Sequence, residues 1–145
     1  MRVLALDIGD KRTGAAISDE LGISSGRILS IEGSRDKQIY EIISLLREYS
    51  ITHIVIGLPL ELSGEEGPRV DKVKKFINRL EKSLSSKVDL NMPIIDYLDE
   101  RLTTAQAKRI LSDSSLHNKQ ASAALDRVVA NILLEAYLTK TKMIK

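Results

Sequence analysis

The chain opens with MRVLALDIGDKRTGAAIS, and no other stretch restricts its fold so tightly. Val3 to Ile8 is a short apolar run that reads as a buried strand, and it carries one acid, Asp7, near its C-terminal end. Gly9 and Gly14 bracket the polar tip Asp10-Lys11-Arg12-Thr13, and Ala15 to Ile17 returns as a second strand, so a β-hairpin is expected. An ionised carboxylate among Val, Leu, Ala and Ile is costly unless it faces an opening, a cation or a hydrogen-bond donor. Divalent metal is the most productive of these partners. The alternative is an aspartate that only forms a turn by bonding its own backbone. Residues further along the chain have to decide between the two.

With 145 residues, 43% of them hydrophobic, the chain can bury a real core, and a single domain over residues 1–145 is expected. It has no cysteine, which removes disulfide frameworks, thiolate nucleophiles and cysteine zinc sites. The first apolar run is too short for a secretory segment and no run approaches a membrane span, so a soluble, cytoplasmic protein is expected. Between Arg69 and Lys87 seven bases face only Asp71 and Glu81, a surplus that suits either a phosphate backbone or plain solvent. With one Phe and four Tyr, no base-stacking platform is expected.

Arg27 to Ile31 follows as a third strand. Ser34 can cap a helix with the stripe Ile39, Ile42, Ile43 and Leu46, closed by Tyr49. Ile54-Val55-Ile56 suits a central strand covered on both faces. After the polar loop Glu61 to Gly67, Pro68 suits the first turn of a helix with the stripe Val70, Val73, Ile77, Leu80 and Leu84. Pro93 opens a strand from Ile94 to Leu98, ahead of Asp99-Glu100-Arg101. Thr103 and Gln106 form a capping box for a helix through Leu111, and residues 112–120 carry no periodicity and are expected to be mobile. A last helix is expected over about Ala121 to Leu138. There Arg127, Asn131 and Glu135 make the polar stripe, and Ala130, Leu133 and Tyr137 belong to the core-facing one. Four residues before Ala130 stands Asp126, an acid on the buried side.

Three strands, a helix, a strand, a helix, a strand and two helices give an α/β chain. An antiparallel meander followed by right-handed crossovers predicts a mixed five-stranded sheet with helices on both faces. Asp7 and the Asp99-Glu100 pair then fall at strand C-termini, where open sheets place their crevices, and Asp126 lies on a helix that must pack on the sheet. Converging carboxylates stay ionised only with cations among them, and hard oxygen donors suit Mg²⁺ or Mn²⁺. Such ions support hydrolysis of a phosphodiester. His53, beside a buried strand, and His117, in a polar loop, read as structural or solvated.

The strings LALDIGDKRTGAAIS, IGLPLELSGEEGPRVDKVKKFINRL, DERLTTAQA and ALDRVVANILLEAYL together resemble the motifs of the YqgF/RuvX family, in order and over nearly the whole chain. The resemblance implies an RNase H-like fold related to the RuvC resolvases and a bacterial, cytoplasmic nuclease. It implies maturation of the 5′ end of pre-16S ribosomal RNA, with Holliday junction resolution as the alternative. Position by position, Asp7, Glu100 and Asp126 match the family's acids, with Asp99 held as a reserve metal ligand. Side chains alternate along a strand, so only one of Asp99 and Glu100 can face Asp7, and Glu100 has the longer arm. Lys11, Arg12 and Arg101 match the family's basic positions and are expected at nucleic-acid phosphates. Val129-Ala130 stands where the family has two alanines, a packing change that leaves the acid in place.

Two further readings compete. An actin-like ATP-binding protein would need two lobes, and this chain has length for one. A non-catalytic RNA-binding assembly factor would use the basic helix and the hairpin without turnover. The expected partner is therefore nucleic acid, structured RNA or branched DNA, with the protein a monomer or a weak homodimer and no membrane involved.

Overall fold

In a computed structural model of the chain, the described residues are 1–101, 106, 107, 109 and 118–144, with the side chains of 118–123 and 142–144 left aside. The elements are β1 (Val3–Ile8), β2 (Arg12–Ser18), β3 (Ser25–Glu32), α1 (Arg35–Glu48), β4 (His53–Leu58), α2 (Pro68–Ser85), β5 (Ile94–Asp99) and α3 (Asn118–Ile144). The strands form one sheet in the order β3-β2-β1-β4-β5. β1 is antiparallel to β2 and β2 to β3, whereas β1-β4 and β4-β5 are parallel. This is the expected mixed five-stranded sheet.

Alternation along the strands sends successive side chains to opposite faces and so builds two cores. Leu4, Leu6, Ile17, Ile54 and Ile56 pack against α1 and α2 through Ile42, Ile77 and Leu80. Val3, Ala5, Ala16 and Val55 pack against α3 through Val129, Leu133, Leu134 and Tyr137. The small residues Ala5 and Ala16 lie opposite each other in the β1-β2 register. Their size lets α3 lie close to the sheet.

Ser34 accepts a hydrogen bond from the Lys37 amide and caps α1, as its residue type predicts. Pro68 opens α2 behind the extended Gly67. Several boundaries differ from expectation: β3 begins at Ser25, β5 ends at Asp99 and α3 runs on to Ile144. β2 begins at Arg12, three residues early, because the Gly9 amide donates to the Arg12 carbonyl at 3.0 Å and closes a tighter turn. α3 begins at Asn118, so residues 118–120 belong to the helix rather than to a mobile segment. Thr103 of the expected capping box and residues 112–117, His117 among them, lie outside the described residues, as does most of the helix expected through Leu111.

The hairpin is fastened from α1. Gln38 is almost fully buried and accepts from the Thr13 hydroxyl at 2.8 Å. It donates to the carbonyls of Gly33 at 3.0 Å and Lys11 at 3.4 Å. A buried amide satisfied on both ends fixes one geometry, and here it fixes the hairpin tip.

Candidate active site

Asp7 points to the α3 face, the odd-numbered side of β1 shared with Val3 and Ala5. Its register partner on β2 is Gly14. On the other side Leu6 pairs with Ile56, so the next step along the parallel strands sets Asp7 beside Gly57 of β4. Across the sheet the acid thus has a glycine on each side.

Both gaps are filled by the other two acids. A Cβ at Gly14 would overlap the Asp126 carbonyl of α3, with the Arg127 amide 3.1 Å away. A Cβ at Gly57 would collide with the Glu100 carboxylate and would stand 2.8 Å from the Leu133 side chain. Glu100 is held there by its own amide, which donates to the Leu58 carbonyl at 3.1 Å and prolongs the β4-β5 ladder. The two glycines therefore form a notch around Asp7, one half taken by helix backbone and the other by a carboxylate.

Register also separates Asp99 from Glu100. Asp99 pairs with Leu58, which packs on the α1/α2 side, so the next residue turns to the side of Asp7. The Asp99 carboxylate instead accepts from the Arg101 guanidinium, Nε at 2.9 Å and Nη2 at 2.6 Å, and from the Arg101 amide at 3.0 Å. Arg101 holds its pKa below the ordinary carboxylate value. Of the two adjacent acids, Asp99 is thus the one that faces away from Asp7, and the cause is strand alternation. Arg101, expected at phosphate, is occupied by Asp99 and by the Leu62 carbonyl at 3.1 Å.

Asp7 is 9% exposed and Glu100 is 5% exposed, while Asp126 is half-buried. Burial first, and then the charges of Glu100 and Asp126, push the Asp7 pKa up to about 9. Burial likewise raises Glu100, with Arg69 pulling it back, and raises Asp126, with Arg12 and Arg127 opposing. Among the described residues no three acids or histidines are placed as a group that could hold a metal ion, yet Asp7 is within hydrogen-bonding reach of both partners. The two facts agree if shared protons hold the cluster, because a proton draws two carboxylates onto each other rather than onto a common centre. Two buried acids and the half-buried Asp126, with no ion pair to Asp7 among the described residues, are oxygen donors of the kind a hard divalent cation takes.

Lys11 is exposed at the hairpin tip, and Arg12 is half-buried with its Nε 3.5 Å from Glu32. His53 bonds the neighbouring Thr52 hydroxyl at 2.7 Å and stands at the far end of β4 from the notch. Sequence reasoning missed Gly14 and Gly57 as the notch, and Gln38 as the hairpin's anchor. The only available signal was small residues recurring beside an acid in otherwise bulky strands.

Among solved structures, Thermus thermophilus RuvC in complex with a Holliday junction substrate superposes with a TM-score of 0.55 at 11% identity, covering 97% of this chain and 96% of that one. A second Thermus thermophilus RuvC structure gives 0.53 at 10% identity, covering 98% and 97%. The likeness is one of fold, that of the RuvC resolvases. The chain belongs to the RuvX family, described as Holliday junction resolvase, which matches residues 1–140. Relatives named "Putative pre-16S rRNA nuclease" are 36% identical in Halothermothrix orenii, over 95% of this chain and 94% of the relative, and 40% identical in Syntrophus aciditrophicus, over 95% and 88%. Among the described residues no helix is long and apolar enough to cross a membrane.

Proposed function

We propose that this chain hydrolyses phosphodiester bonds in structured RNA, the precursor of 16S ribosomal RNA being its substrate, with Asp7, Glu100 and Asp126 holding Mg²⁺ or Mn²⁺. The observation that carries this reading is the row Gly14-Asp7-Gly57, whose two missing side chains admit the other two acids. When bound, such an ion supplies a lowered pKa for the attacking water and positive charge against the departing oxygen. The protein's own contribution is placement: β1 fixes Asp7, the β4-β5 ladder fixes Glu100, and the seat of α3 on Gly14 fixes Asp126. Lys11 and Arg12 stand on the hairpin that follows Asp7, Arg12 near enough to act on Asp126, and their charge favours a polyanion. That substrate also places the protein in the bacterial cytoplasm.

The family's description favours a second substrate, the four-way DNA junction, which the same chemistry would cut. Side-by-side assays decide. With Mg²⁺ or Mn²⁺, the wild type should cleave a pre-16S 5′-leader RNA faster than a DNA junction, and Asp7→Asn should abolish cleavage while keeping its circular dichroism spectrum. Equal cleavage by wild type and variant would reject the reading, and binding without cleavage by the wild type would leave an RNA-binding assembly factor.

A further inference from the structure

A small pocket of about 110 Å³ opens at the same sheet edge as the acid notch but on the α1/α2 face. Ile8, Gly9 and Val73 line it, and Arg35, Arg69 and Lys72 bring three positive charges from the first turns of α1 and α2. By volume it has room for three or four waters at roughly 30 Å³ each, the size of a phosphate group rather than a nucleoside.

The opposing charge is Asp10, whose Oδ1 is 3.5 Å from Lys72 Nζ, with both side chains largely exposed. Neither Arg35 nor Arg69 makes an ion pair with a carboxylate among the described residues. Arg35 is nevertheless set in place. One terminal nitrogen donates to Gln38 Oε1 at 3.1 Å, and its guanidinium lies 4.9 Å from the centre of the Phe76 ring. Asp10 is the one carboxylate lining the pocket and its charge acts on Arg35, so three bases face a single exposed acid, and a half-buried, pre-set arginine is a donor arranged for a further anion. Asp7 and Ile8 point to opposite faces of β1, so the notch and the pocket open on either side of the same strand end. A strand crossing the sheet edge can therefore lay one phosphate in the notch and its neighbour in the pocket.

We propose that Arg35, Arg69 and Lys72 form a second phosphate site, which grips the substrate backbone one phosphate away from the bond cut at Asp7, Glu100 and Asp126. The proposal rests on the nuclease reading, and the test separates the two. Binding is measured by fluorescence anisotropy in the Asp7→Asn background, with a fluorescein-labelled RNA hairpin carrying the cleavage position and with copies bearing one uncharged methylphosphonate at successive positions. Adding Arg69→Gln and Lys72→Gln together should weaken binding about 10- to 100-fold and lower the salt slope by about 2, at unchanged melting temperature. Arg35→Gln should weaken it in the same direction. One methylphosphonate adjacent to the cleavage position should weaken the parent and leave the double variant unaffected. Equal interference in both proteins, or parental affinity in the double variant, overturns the proposal. A pocket that binds inorganic phosphate while no methylphosphonate interferes also overturns it, because the site then takes free anions and not the backbone. Failure of the wild type to cleave would instead strike the nuclease reading.

Discussion

Gly14 of β2 lies directly under the Asp126 carbonyl of α3, so close that a Cβ on the glycine would overlap that oxygen. The contact turns the register pair Asp7–Gly14 into a three-way relationship, because the strand neighbour of one acid is the seat of another. Small size here serves delivery of a carboxylate and is not a backbone requirement, since positive φ among the glycines is confined to Gly22, Gly33 and Gly64.

Filling either half of the notch should therefore cost activity beyond its cost in stability. Gly14→Ala must push α3 off the sheet, and Gly57→Ala must displace Glu100 and Leu133. Each is expected to destabilise by about 1–3 kcal/mol. Each should also lower the cleavage rate about 100-fold, as a displacement near 1 Å can. Thermal melts and single-turnover cleavage of the same samples check both.

The buried acids make metal-free stability fall with pH. The folded Asp7 pKa of about 9 lies above the ordinary carboxylate value of 3.8. Between those values the folded protein keeps a proton that the unfolded chain loses, so stability present at pH 4 is lost as pH rises through neutrality. Asp7→Asn removes the penalty. In EDTA at pH 8 the variant should melt higher than the wild type, and a gain of about 2 kcal/mol would raise Tm by roughly 5 °C. At pH 4 the two should agree. Mg²⁺ should stabilise the wild type more than the variant, because it binds only the folded state.

The neighbouring acids Asp99 and Glu100 should behave oppositely. Glu100→Gln is expected to lower cleavage by 100-fold or more. Asp99→Asn should leave the rate within a few-fold, and it should cost under about 1 kcal/mol, because its pair with Arg101 is exposed. Cleavage assays and urea melts of the two variants test the assignment, and a silent Glu100→Gln would reverse it.

Gln38 should matter to the hairpin more than to the sheet. Gln38→Leu leaves the buried Thr13 hydroxyl and two carbonyls without their partners, a loss of about 2 kcal/mol. Because it frees the tip that carries Lys11 and Arg12, the expected kinetic signature is a raised KM. Denaturant titration and steady-state cleavage on one preparation read both.

Much of this was legible in the chain. The apolar run ending in Asp7, the stripe of α2 and the acid at Asp126 follow from periodicity, which the sheet and helices obey. The choice of Glu100 was legible only as one of two, since alternation says that one of two adjacent residues faces Asp7 but the register of β4 with β5 says which. Gly14 and Gly57 were not legible as a notch. Their role lies in contacts to Asp126 and Glu100, 112 and 43 positions away along the chain, and no local pattern encodes which backbone will descend on a glycine. The pairing of Arg101 with Asp99 was not legible either, because which acid a guanidinium two residues away bonds depends on how the chain turns after β5.

The central claim is that three carboxylates from β1, the end of β5 and α3 gather around a divalent cation. Crystals soaked in Mn²⁺ and measured at its absorption edge test it most directly. The account predicts anomalous peaks bounded by the side chains of Asp7, Glu100 and Asp126, lost in Asp7→Asn. A peak at Asp99 instead, or none at the notch at saturating Mn²⁺, would contradict it.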